Sequence, residues 1–369
     1  MSDAAPVFLP VGTVFRPEDI TFYAEPERRS LDDAIAEADL LVSCPHAGAA
    51  IPGELEEFLA PEFTRRLQYD FTDVATGPIV RRWAEIDSRI VYVENPHPRM
   101  IRDPNREKPA DVRPLLREAI ERVRAAGPFE RVDLTGVDAI RPVTFSFFPL
   151  LVVPETEAEM DRLVDTFARV AEQGLGVYEA TRDALTERFL DASFARAEAT
   201  GEAQFFTRLS FHDTMNHTTT PEGAVSVRRA EADRLPDVVA LSNRGDANGD
   251  RRGEEVVTMR GDLLRHLAAA HRRGFEVTDP SDVALNQPYL GSFEIIDAGR
   301  RFDALAERAN GADVILSAVQ AEFLREYLLG PANTAVLSAP GTGWVEFDED
   351  HITTLAYRCK AAWDDYRAG

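Results

Sequence analysis

Two histidines stand directly behind short apolar runs that read as strands. His46 follows Leu40–Leu41–Val42–Ser43–Cys44–Pro45 and precedes Ala47 and Gly48; His212 follows Arg208–Leu209–Ser210–Phe211 and precedes Asp213. In an open α/β sheet, ligands gather at the carboxyl ends of strands, so both imidazoles would face a cleft. A third run, Val314–Gln320, leads into Glu322, a carboxylate among apolar neighbours. Such neighbours would raise a carboxyl pKa towards a range useful for proton transfer. Two imidazoles and carboxylates at separate strand ends suit a zinc hydrolase, with three protein ligands and one open position for water. Taken singly, each histidine is a hydrogen-bonded side chain at a loop mouth and Glu322 a solvated residue; the joint pattern carries the reading. A histidine and a glutamate three residues apart would complete a carboxypeptidase-type site, but position 49 is Ala49. A second ligand must therefore come from elsewhere.

Two further segments offer candidates. Tyr69–Asp70–Phe71–Thr72–Asp73–Val74–Ala75–Thr76–Gly77 places two carboxylates before a helix, where Asp73 or Thr72 would ordinarily cap it. A carboxylate has two oxygens, so capping and metal ligation are compatible. Met100–Ile101–Arg102–Asp103–Pro104–Asn105–Arg106 groups two arginines around an aspartate. It is either a polar turn or a guanidinium fork for a substrate carboxylate. Other patterns fail. Asp246, Asn248 and Asp250 echo a calcium loop, but its glycine position holds Arg251 and its last position Val257. His266 and His271 are five apart, not four, and read as surface residues.

The elements that must position these residues alternate. Strands are predicted over Asp39–Cys44, Arg89–Glu94, Phe147–Val153, Arg208–Phe211, Val238–Ser242, Phe275–Thr278 and Asp313–Glu322. Apolar spacings of three and four predict helices over Ala75–Ile86, Arg113–Ala126, Glu157–Ala199 (broken at Gly174 and Gly176), Thr258–Arg273 and Asp350–Arg367. Gly274 reads as a C′ glycine. Alternation of this kind implies an α/β fold with a mainly parallel or mixed sheet covered by helices. No repeat or clean linker divides the chain, so one compact domain is expected.

Composition removes other classes. Of 369 residues, 44% are apolar and 28% charged, so disorder is not the dominant state. Acidic residues number 64 against 41 basic, a formal charge of −23, and no basic patch interrupts it. Nucleic acid and anionic membrane are therefore poor partners. Cys44 and Cys359 lack metal-ligand or redox spacing, Met1 through Pro10 lacks a secretory pattern, and no apolar run reaches spanning length. A soluble, cytoplasmic protein is expected, its oligomeric state open.

Together these motifs resemble the N-formylglutamate amidohydrolase (N-formylglutamate deformylase) family. Ser43–Cys44–Pro45–His46–Ala47–Gly48–Ala49–Ala50–Ile51–Pro52 matches a pattern Ser-x-Pro-His-x-Gly-x-x-Ile-Pro. Asp73-x-x-Thr76 looks like the family's helix start, and Asp103–Pro104–Asn105–Arg106 its Asp-x-Asn-Arg motif. Phe211–His212–Asp213 falls where the family has Asp-x-His-Ser, with phenylalanine and aspartate as departures. Asn286–Gln287–Pro288–Tyr289–Leu290–Gly291 resembles its asparagine loop, and Gln320–Ala321–Glu322 its Gln-x-Glu. The motifs run in family order from about Leu40 to Leu329.

The resemblance implies a three-layer α/β/α fold with a mixed central sheet, akin to zinc carboxypeptidases (phosphorylase/hydrolase-like). It also implies zinc-dependent hydrolysis of an N-formyl or N-acyl amino acid, with one Zn2+ per chain. His46, Asp73 and His212 would be metal ligands, with Asp70 the alternative to Asp73, and Glu322 the general base. Arg102, Arg106, Asn105 and Asn286 would bind substrate. The domain would span the chain, with an insertion at about 107–143 and an extension after about 330. Competing readings are a carboxypeptidase-like or deacylase activity on a larger substrate, and a catalytically silent binding protein.

Overall fold

The computed structural model describes residues 4–127 and 129–369. Its central sheet is built from β1 (Thr21–Tyr23), β2 (Leu40–Cys44), β3 (Ile90–Glu94), β4 (Gln204–Thr214), β5 (Val239–Ser242), β6 (Val283–Leu285) and β7 (Val314–Leu324). The spatial order is β6-β5-β7-β4-β2-β3-β1. Strands β7, β4, β2 and β3 run parallel, so their carboxyl ends share one edge of the sheet. The β1–β3 and β5–β7 pairs are antiparallel, which makes the sheet mixed.

The flanking helices are α1 (Thr76–Ile86), α2 (Arg113–Ala126), α3 (Glu157–Gln173), α4 (Leu175–Thr200), α5 (Gly261–Gly274), α6 (Phe293–Ala304) and α7 (Glu349–Ala368). Side chains alternate between the faces of a strand. Thus Leu40, Val42 and Cys44 of β2 pack with Val80 and Trp83 of α1, Leu267 of α5 and Leu355 of α7. Leu41, between them, packs on the opposite face with Phe189 of α4 and Ile295 of α6. The sheet is therefore buried on both sides, as a parallel sheet must be. A third apolar cluster joins α2, α3 and the segment around Ile140 and Leu150, beside the sheet.

Several predicted elements fall elsewhere. Phe147–Val153 forms only isolated bridges, Val143 to Pro149 and Leu59 to Leu151, because the chain there lies outside the sheet. Phe275–Thr278 is a turn, and the edge strand comes later as β6. The long helical stretch breaks once, at Gly174; Gly176 lies inside α4. Gly274 ends α5 as its last helical residue, and a close approach accounts for it: a Cβ there would lie 2.5 Å from the backbone nitrogen of Ala362 in α7.

His271 is not on the surface. It is 3% exposed, stacks on Phe275 at 5.8 Å, meets Trp363 edge-on at 6.3 Å and donates from Nδ1 to the Leu267 carbonyl. Burial pushes its pKa down to about 4. The unfolded chain takes up a proton near pH 6.5 that the folded chain refuses, so the stabilisation present above pH 6.5 is lost as pH falls towards 4. Between pH 7 and 4.5 this single residue should cost about 2.5 kcal/mol of stability. Urea unfolding at the two pH values should show a loss smaller by about that amount in His271→Leu. Equal losses would show that the histidine protonates without unfolding.

Candidate metal centre

Two strand ends and one helix start converge on a single buried point. His46 lies just beyond β2, His212 lies near the end of β4, and Asp73 lies in the loop leading into α1. They are 2%, 2% and 4% exposed, and one ligand atom from each lies within 4.8 Å of the others.

Local chemistry builds this convergence. The loop after β2 is latched to the loop after β3: Gly48 N–H donates to Asn95 O at 2.9 Å, and Asn95 Nδ2 donates to Pro45 O at 2.9 Å. Glycine is required at 48, since a Cβ would sit 2.3 Å from the Pro96 carbonyl. Asp73 N–H donates to His46 O at 3.1 Å, tying the second loop to the first. Asp213 accepts from Ala75 N–H at 3.1 Å and pairs with buried Arg325. Arg325 in turn donates to the carbonyls of Tyr69 and Asp70. Neither Asp73 nor Thr72 caps α1 with its side chain; Thr72 Oγ1 donates to the Gln68 carbonyl instead. The Asp73 carboxylate is thereby left for the histidines.

Both imidazoles aim Nδ1 at the same oxygen. Asp73 Oδ2 lies 3.2 Å from His46 Nδ1 and 2.9 Å from His212 Nδ1. The far nitrogens are held separately. His46 Nε2 lies 2.8 Å from Asp103 Oδ1, and His212 Nε2 lies 3.0 Å from Ser210 Oγ. An imidazole that donates Nε2–H to an outer oxygen keeps its Nδ1 lone pair for a cation. A lone pair facing a carboxylate oxygen at about 3 Å repels it unless positive charge lies between them. Two protons or one divalent cation meet that requirement. Burial and Arg99 disfavour the imidazolium of His46, but Asp103 and Asp73 outweigh them and raise its pKa. Burial likewise opposes the charge on Asp73, yet both histidines draw its pKa down. The donor set, two nitrogens and a carboxylate, fits zinc with a position left for water.

Glu322 stands beside this cluster. Strands β4 and β7 pair in register, Glu322 opposite His212 and Gln320 opposite Ser210. Its carboxylate accepts from Thr214 Oγ1 at 2.7 Å and Gln320 Nε2 at 3.0 Å. The apolar neighbours that flank it in sequence, Ala321 and Phe323, belong to the opposite face. The side chains that meet its carboxylate are polar, Thr214 and Gln320, and not the apolar ones that flank it in sequence.

Asp70 does not join the cluster; its Oδ2 accepts from Thr219 Oγ1 at 2.7 Å, and burial raises its pKa. The fork expected at Arg102 and Arg106 does not form. Arg102 pairs with Glu179 at 2.6 Å, while Arg106 pairs with Asp138 at 3.2 Å. Asn105 is close, its Nδ2 3.4 Å from His212 Nε2. Asn286 spends its amide on a loop, bonding Asn243 at 2.9 Å and the Asp246 carbonyl at 2.7 Å.

Sequence reasoning passed over several participants. Arg99 is part-buried, lies 2.5 Å from Asp103 and 3.9 Å from Asp73, and lines the cleft with Phe145 and Arg229. It follows β3 by five residues, so the strand-end rule applied to β3 would have reached it. Asp103 reads in sequence as the centre of a polar turn or an arginine fork and as part of a family motif, and not as a partner of His46. Its contact to His46 spans 57 residues and left no local signal.

Comparison with curated proteins and with solved structures gives no match. The sequence model of one family, N-formylglutamate amidohydrolase, matches residues 38–328 and so takes in His46, Asp73, His212 and Glu322. The chain belongs to the N-formylglutamate amidohydrolase family, hydrolases acting on an amide bond.

Proposed function

We propose that this protein is a zinc-dependent amidohydrolase that releases formate and a free amino acid from an N-formyl amino acid such as N-formylglutamate. The observation that carries the metal reading is the pair of Nδ1 atoms aimed at one buried Asp73 oxygen. The family carries the substrate class. On this reading the three-layer arrangement is the zinc-carboxypeptidase-like one, in a single domain with an insertion and a carboxyl-terminal extension.

His46, Asp73 and His212 would hold the ion. A divalent metal bound there supplies polarisation of the amide carbonyl and a water of lowered pKa. Glu322 takes the proton of the attacking water and returns it to the leaving amine, with Thr214 and Gln320 fixing its carboxylate. Arg99 brings positive charge towards the developing oxyanion, and Phe71 and Phe145 hold its guanidinium at 5.6 and 4.9 Å from their ring centroids. The substrate carboxylate goes to arginines at the cleft. Arg229 lines it, and its Nε has no hydrogen-bond partner among the described residues. Arg106 follows Asn105 and holds only a part-exposed pair, whereas Arg102 is committed to Glu179.

Metal analysis should find about one zinc per chain. His46→Ala and His212→Ala should each weaken zinc binding by more than the roughly 10–100-fold that loss of an outer partner costs. Full zinc retention in both variants would remove them from the site. Glu322→Gln keeps the shape and the fold. It should bind zinc normally and lose about 10²–10⁴ in turnover of N-formylglutamate. Zinc loss in this variant would make Glu322 a ligand, and near-normal turnover would remove it from the mechanism. Converting the substrate's α-carboxylate to an amide should lower kcat/KM by about 10–100-fold, the worth of a charge-assisted hydrogen bond. Equal turnover of acid and amide would dismiss the arginine assignment.

A further inference from the structure

Behind His212, away from Asp73, a buried carboxylate collects four side-chain donors. Glu294 lies in the first turn of α6 and is 1% exposed. Its Oε2 accepts from Ser43 Oγ and from Ser210 Oγ, each at 2.8 Å. Its Oε1 accepts from the Tyr178 hydroxyl at 2.5 Å and from Arg182 at 2.8 Å. Burial alone would raise its carboxyl pKa, but Arg182 and Arg208, with the hydrogen bonds, hold it down to about 2. The group is ionised.

An ionised carboxylate only accepts, so the hydroxyl hydrogens of both serines are committed to it. Ser210 Oγ can then only accept from His212 Nε2, 3.0 Å away. The ring proton is thereby placed on Nε2, and Nδ1 is left as a lone-pair donor. Asn105 Nδ2 approaches the same nitrogen at 3.4 Å and would favour the opposite tautomer. That contact is at the limit of hydrogen-bond length, while the serine contact is near the optimum.

Resting on the metal reading above, we propose that Glu294 is a positioning residue for the metal centre, setting the tautomer and orientation of His212 through Ser210. The path runs from one buried ion pair, Arg182 with Glu294, through a hydroxyl to the ligand. An internal control exists. Ser43 and Ser210 give the same oxygen the same bond and are equally buried, at 2% exposure, yet only Ser210 touches the histidine. A merely structural role for the network would make the two serines equivalent.

The test is zinc titration of the metal-free full-length protein against a chromophoric chelator, with the visible spectrum of the cobalt-loaded form as a second readout. Ser210→Ala should weaken zinc binding by about 10–100-fold and shift the cobalt bands. Ser43→Ala should leave both unchanged. Ser210→Cys, near in size but a weak acceptor, should show the same sense of loss and serves if the alanine variant does not fold. Wild-type zinc affinity in the Ser210 variants, or equal losses in the Ser43 and Ser210 variants, overturns the inference. A wild-type chain that binds no zinc overturns the metal reading, and the inference with it.

Discussion

The carboxylate of Asp73 is buried between two imidazole rings, and one of its oxygens faces a ring nitrogen on each side. A negative charge removed from water is tolerated only where positive charge and hydrogen bonds replace the lost solvation. Much of the surrounding architecture answers that requirement. Arg99 and Arg325 approach the second oxygen, each to 3.9 Å. Asp103 and Asp213 balance those two guanidinium groups, and Asp103 also engages His46. The loops carrying these groups are tied together by backbone hydrogen bonds, so the charges cannot relax apart.

The parallel sheet makes this possible. Strands that share a direction share an end, and their terminal residues face one cleft. Register then decides neighbours: His212 lies opposite Glu322, and Ser210 opposite both Gln320 and Ser43. A slip of one residue on β4 or β7 would turn the polar set into the apolar face under α1 and α7. The apolar side chains Phe211, Ala321 and Phe323 on that face oppose such a slip.

The two faces of the sheet serve different ends. Beneath α1, α5 and α7 it is apolar around β2, β4 and β7, and it anchors the strands. Beneath α4 and α6 it carries a polar spine of Ser43, Ser210, Arg182 and Glu294, which leads to the back of His212. Such a network stabilises only when each member is satisfied. Here four donors meet one ionised carboxylate.

By itself, the sequence determined the alternation of strands and helices, the end of β2, and the candidacy of His46, His212 and Glu322, while β4 and β7 run on past their predicted ends to Thr214 and Leu324. These are local properties: apolar period, helix spacing and the residue type that follows a strand. Through the family motif it put Asp73 forward as the third member and kept Asp70 as the alternative. Only the tertiary structure separated the two, because the turn before α1 sends one carboxylate to Thr219 and the other to the histidines. It also parted Arg102 from Arg106, buried His271, and showed that the residues flanking Glu322 in sequence face away from it. Contacts such as Asp103 with His46 and Glu294 with Ser43 join residues 57 and 251 positions apart. Pairings at that range are set by packing and register, which no window along the chain contains.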